Sequence, residues 1–355
     1  MKPGHGHLKK LRANRRYILL GIVLLACLGI AAVVLIFSHS PSRELLAQRI
    51  AAVNARRALP PEENAATIYD QLRASNILTS TPGDPNLTPA GLAALIEASK
   101  MDSCWFTLSP GRQCYMNHLR RVYPMQVWAG ALAIAVRQDV ADGHIETAAQ
   151  KLHCMIQMGD HLQQQALLID FTAGTGIEGR AWTPLGEFVM QPDATEELLS
   201  MAEAMPWELE NNYREVSKLT LEVQPLVWRT ISAEWTLRQR VENRWRARGE
   251  KSNGQRIEEA YLRLLSQRRG ARLLLGLRRY HNANGRWPDS LEEIRTLVPE
   301  QALIDPYTEQ RFMYRREAGE FLLYSKGPNR RDENGQHHEK ADDFQIWLPR
   351  RMTSP

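Results

Sequence analysis

The stretch VWAGALAIAVRQDVADGHIETAAQKLHCMIQMGDHLQQQ, Val127 to Gln165, decides the fold class. Apolar or small residues recur at Ile145, Ala148, Ala149, Leu152 and Ile156, the three-and-four spacing that gives a helix one buried face. Asp142-Gly143 interrupts the pattern, so two helices joined by a short turn are expected. The pattern looks like one helical-repeat hairpin, but no second copy follows at a fixed period, so a solenoid is unsupported.

Working outward, residues 118 to 190 read as helices throughout. PDATEELLSMAEAM opens another, capped by Asp193 or Thr195. After Pro206 a helical stretch runs to about Arg248, kinked at Pro225, with Trp207, Trp228, Trp235 and Trp245 spread along it as core anchors. GEKSNG breaks the chain before a Leu-rich helix whose stripe is Leu262, Leu265, Leu273, Leu274 and Leu277, and whose Arg-rich face reads as solvated. Upstream, LTPAGLAALIEASK has Thr88 as N-cap and Pro89 at the first helical position.

The first 16 residues carry six Lys and Arg and no acid, and YILLGIVLLACLGIAAVVLIF, Tyr17 to Phe37, carries no charge at all. At about 1.5 Å rise per residue this run matches a ~30 Å hydrocarbon core. It predicts a single-pass anchor in a bacterial inner membrane, N-terminus in the cytoplasm and the bulk periplasmic or extracellular. The whole chain has net charge +5, less than the tail's six positive charges, which leaves −1 for the remainder. Nucleic acid is therefore an unsuitable partner. The partners expected are the bilayer, through Tyr17 to Phe37, and other envelope proteins. In an oxidising compartment Cys104 and Cys114, flanking WFTLSPGRQ, would suit a disulfide, and Cys154 a buried free thiol.

The C-terminal residues change character. NGRWPDSLEEIRTLVP ends the long helix at Asn284-Gly285 and starts a short one, with Ser290 and Glu293 as a capping box and Leu291, Ile294 and Leu297 inward. RFMYRRE, EFLLYSKG and DFQIWLP then alternate as three strands, the first two joined at Ala318-Gly319. The fold expected is mainly α, a membrane-anchored helical domain, with a small C-terminal α+β module of one helix and a three-stranded antiparallel sheet. The divisions are residues 1–16 (basic tail), 17–37 (transmembrane helix), 38–60 (stalk), 61–250 (helical domain) and 251–355 (module).

RYHNANGRWPDSLEEI, DPYTEQRFMYRR, FLLYSKGPNRRDENG and DDFQIWLP together resemble the C-terminal part of the major pseudopilin of type II secretion systems, over about Tyr280 to Leu348. The resemblance implies calcium in the loop after the Ser-x-Gly element, with Asp332, Asp342 and Asp343 as the positional counterparts of its ligands. It also implies an accessory role near a secretion or pilus-like apparatus. The chain lacks that family's N-terminal processing site and the Glu that follows it, so pilus assembly is not implied.

Other chemistry is sparse. GTGIEG at Gly174 fits G-x-G-x-x-G without the strand–helix context a dinucleotide fold needs, so small residues packing two helices account for it better. His153 and His161, with Asp160 between, have a spacing that could gather zinc on one helix face. If the chain were instead a tethered extracytoplasmic hydrolase or metal-dependent enzyme, His118, His153, His161 and Asp160 would be its site. No catalytic or cofactor-binding residue follows from any motif.

Overall fold

The computed structural model describes residues 43–75, 78–79, 86–110, 112–207, 213–233, 252–317, 319–338 and 341–348. Among them are nine helices: α1 (Arg43–Arg57), α2 (Ala65–Ala74), α3 (Pro89–Ser99), α4 (Arg112–Ala141), α5 (Ile145–Gln163), α6 (Leu168–Val189), α7 (Glu196–Glu203), α8 (Tyr213–Ala233) and α9 (Asn253–Asn284). The strands are β1 (Leu78–Thr79), β2 (Asn86–Leu87), β3 (Met313–Glu317), β4 (Glu320–Ser325), β5 (His337–His338), β6 (Ala341–Asp342) and β7 (Phe344–Trp347). The chain is mainly α, with a small C-terminal three-stranded antiparallel sheet, as its periodicity predicts.

Local signals set many of the helix ends. The Asn64, Thr88 and Thr195 side chains accept from Ala66, Gly91 and Leu198 N–H groups at the starts of α2, α3 and α7. Ser252 and Gln255 form a reciprocal capping box on α9, which ends where Gly285 turns left-handed at φ 69°. Ser290 makes no such cap. Leu291–Ile294 is one 3-10 turn whose Glu293 Oε1 instead accepts from the Asp289 N–H, and Leu297 stays 39% exposed. The short helix and capping box expected there are corrected accordingly.

The α4–α5 hairpin forms at Asp142-Gly143, with Ala148, Leu152 and Ile156 fully buried. Helices α5 and α6 cross at two glycines: a Cβ on Gly174 would sit 2.5 Å from the Gly159 carbonyl oxygen, and one on Gly159 would sit 2.8 Å from that of Gly174. Helix packing is thus what the first glycine of GTGIEG serves. Helix α9 lies against α6 on one side and the C-terminal sheet on the other, so Leu273, Leu274 and Leu277 share one core with Trp182, Phe321 and Leu323. The sheet needs this cover because one of its faces is greasy.

Strand β4 is central: Tyr314 pairs with Leu323 across β3, and Ser325 with Phe344 across β7, with a bulge between Leu323 and Tyr324. Asp305 of the DPYT turn is 1% exposed and ties the module together. Its Oδ1 accepts from Tyr307 N–H and Ser325 Oγ–H, and its Oδ2 from Lys326 N–H. Those bonds give the Asp-Pro-Tyr and Tyr-Ser-x-Gly elements a structural role.

Three expectations are overturned. Residues 43–57 are no stalk, because Ile50 and Val53 of α1 are buried against α8 in a second, smaller core with Trp105, Leu108, Cys114 and Leu167. The Arg-rich face of α9 is not wholly solvated: Arg278 is 5% exposed and donates to the Val189 and Met190 carbonyls, closing the C-terminus of α6. The membrane-anchored reading is also corrected. Among the described residues no helix is long and apolar enough to cross a membrane, and Tyr17 to Phe37 lies outside them. The single-pass, inner-membrane placement and the envelope roles built on it, secretion accessory or tethered hydrolase, are withdrawn.

Candidate functional site

The loop between β4 and β7 folds back on itself through left-handed residues Arg330 and Asn334, and the short β5–β6 hairpin follows. It gathers four carboxylates with different occupations. Asp332 is exposed and engaged, its Oδ1 accepting from Tyr324 Oη–H at 2.7 Å and Asn334 N–H at 2.9 Å. Asp343 is fully buried and its Oδ2 accepts the Glu333 and Gly335 N–H groups at 3.0 and 2.8 Å. Asp342 Oδ2 accepts from Asn329 N–H. Among the described residues three oxygens remain buried without a donor: Glu333 Oε2, Asp342 Oδ1 and Asp343 Oδ1. Burial, and then the Glu333 carboxyl beside it, push the Asp343 pKa up to about 6 against the pull of the Gly335 N–H.

This revises the calcium set. Asp342 and Asp343 keep free oxygens, Asp332 is largely used by protein donors, and Glu333 joins them. Glu333 was hidden in RRDENG because nothing local distinguishes an inward Glu from a solvated one. The neighbouring Arg330 and Arg331 are exposed. No group of three His, Cys, Asp or Glu stands ready to hold a metal among the described residues. A cation here would complete its shell with backbone carbonyls and water, as calcium does with its six to eight oxygens. The orphaned carboxylate oxygens fit such a hard cation.

The histidines do not converge. His153 is exposed while His161 is fully buried with both ring nitrogens engaged in the core, so the two do not share a site. Tyr69 Oη–H donates to His161 Nδ1 at 2.9 Å, and Nε2–H donates to the Met101 carbonyl at 2.7 Å. That pattern assigns the neutral Nε2–H tautomer, and burial lowers the pKa to about 4. His161 is therefore a satisfied core residue. Asp160, raised to about 6 by burial, takes a hydrogen bond from Gln164.

His118 behaves differently. Its Nδ1 lies 2.6 Å from Asp170 Oδ2 in a buried ion pair, both side chains 1% exposed. Burial opposes the charge, but the Asp170 carboxylate prevails and lifts the pKa to about 9. Asp170, in the first turn of α6, carried no sequence signal. Because the folded pKa lies above the unfolded value of about 6.5, the pair's stabilisation is complete below that pH and is lost as pH rises toward 9. Denaturant midpoints are expected to fall over this window by on the order of 3 kcal/mol, and His118→Gln to flatten that slope.

A third polar group is structural. Glu178 of α6 is fully buried and accepts from Gln163 Nε2 at 2.8 Å, Trp182 Nε1 at 2.9 Å and both Nε and Nη2 of Arg268, which reaches down from α9. Both its oxygens are engaged, Oε1 by Trp182 and Arg268 and Oε2 by Gln163, and Arg268 also lies over the Trp182 ring. Cys104, Cys114 and Cys154 are free and buried, Cys104 and Cys114 in different core clusters, so the expected disulfide is not formed.

No family model, curated protein or solved structure matches this chain.

Proposed function

We propose that the C-terminal module is a calcium-binding element, in which the cation pins the loop from Asn329 to Asp343 onto the sheet. The observation that carries this reading is the trio of buried carboxylate oxygens without donors: Glu333 Oε2, Asp342 Oδ1 and Asp343 Oδ1. Without a cation, two of these groups compete for one proton, and the raised Asp343 pKa means that the loop loses stability as pH climbs from about 4 to about 6. A bound divalent cation replaces that proton and partners the orphaned oxygens within its reach, backbone carbonyls and water completing its shell. The resemblance to the major pseudopilin module supports the same choice of cation. Calcium suits the site better than magnesium, which demands a compact octahedron and gives up its waters reluctantly.

The test is a thermal melt of the chelator-stripped chain titrated with calcium. At calcium about a hundredfold above Kd, linkage gives ~2.7 kcal/mol of added stability. Asp343→Asn is expected to abolish the shift, and the effect to weaken as pH drops below about 6, where a proton must be displaced. A melting temperature that calcium leaves unmoved at neutral pH rejects the reading.

A further inference from the structure

We propose that Cys114, His118 and Asp170 form a second site, a thiol nucleophile with its imidazole and an orienting carboxylate, which accepts an acyl group from an ester or thioester with an apolar acyl chain. Cys114 lies in the first turn of the 30-residue helix α4, and His118 follows one turn later on the same face. A helix N-terminus and an adjacent imidazolium both stabilise negative charge on sulfur. The Cys114 side chain acts on the His118 ring in the same upward sense as Asp170. Asp170 engages Nδ1, which leaves Nε2 buried without a partner. Two more buried polar atoms lack partners: the indole Nε1–H of Trp105, in the same small core as Cys114, and Thr220 Oγ of α8. Trp105 offers the donor that a developing oxyanion needs. The rest of that core is apolar, from Val53, Leu108, Leu167, Val223 and Val227, which selects an aliphatic acyl chain.

Burial pushes the Cys104 thiol well up and that of Cys154 to about 12. Access requires α8 to lift: it is held by the smaller core and by its contacts with α1, α4 and α9, and it carries Pro225 inside. In the reaction, sulfur bonds to the acyl carbon, the bond to the alkoxide or thiolate leaving group breaks, and the His118 proton goes to that leaving group. Water then adds to the acyl-sulfur carbon, one proton returns to the sulfur, and the carboxylic acid departs.

The full chain incubated with p-nitrophenyl octanoate, then peptide-mapped by mass spectrometry, tests this. The octanoyl group is expected on Cys114 and not on Cys104 or Cys154. Equal acylation of Cys104 or Cys154, or none on Cys114, overturns the proposal. His118→Gln is expected to slow acylation at least about tenfold. Asp170→Asn, the positioning change, is expected to slow acylation of Cys114, and Asp170→Glu to restore part of the rate. If these variants fail to fold, the parent chain's site of acylation decides.

Discussion

Replacing Arg268 by methionine is expected to destabilise the chain by about 3–5 kcal/mol, measured by urea denaturation, because it strands a buried carboxylate. Glu178 is fully buried in the crossing of α5, α6 and α9, and Arg268 is its sole charged partner among the interactions described above. Gln163 and Trp182 would still donate, but two neutral donors do not balance a full charge in a dry interior. Methionine keeps most of the volume, which separates lost charge from lost packing. Adding Glu178→Gln to Arg268→Met is expected to recover most of the loss, since an amide needs no counter-charge. A double variant as unstable as the single one would mean that packing of the guanidinium over Trp182 carries the energy instead.

The second large effect separates two glycines two residues apart. Gly174→Ala is expected to cost about 3 kcal/mol, because the new methyl would lie 2.5 Å from the Gly159 carbonyl oxygen and 2.9 Å from the Gln163 nitrogen. Both neighbours are backbone of α5, so relief requires the two helices to separate. Gly176→Ala meets nothing within 4 Å and is expected to stabilise by up to about 1 kcal/mol through helix propensity. Melting temperatures of the two variants should therefore move in opposite directions. Equal shifts would remove the close crossing as the reason for the first glycine.

Much of the helical frame was legible because its signals are local. Thr88 before Pro89, Thr195 before two glutamates, the Asp142-Gly143 break and the Asn284-Gly285 stop each act within one turn, and each lies where its side chain or backbone requires. The three strands were legible for the same reason, since alternation over a few residues suffices. The failures share a cause as well. Ser290 and Glu293 match the capping pattern, but Glu293 turns to Asp289 N–H, Tyr280 and Arg286. Helical spacing brings His153 near His161 in number, while the first stays in solvent and the second is sealed in the core.

The candidate sites were half legible. Asp342 and Asp343 could be named through the resemblance to the pseudopilin module and His118 from its residue type, but their partners Glu333 and Asp170 could not. A carboxylate's role depends on whether its oxygens meet donors, and those donors come from elsewhere in the chain: Asp170 lies 52 positions beyond His118. By itself the amino-acid order determined the mainly helical class, the three strands, several caps and the need for α9 to cover the sheet, all through the spacing of apolar groups along one short segment. Only the tertiary structure decided which arginine of α9 goes inward, which acids lose their water and which thiol meets an imidazole. Burial of a charge is settled by the groups that surround it, and here those groups arrive from as far as 90 residues away.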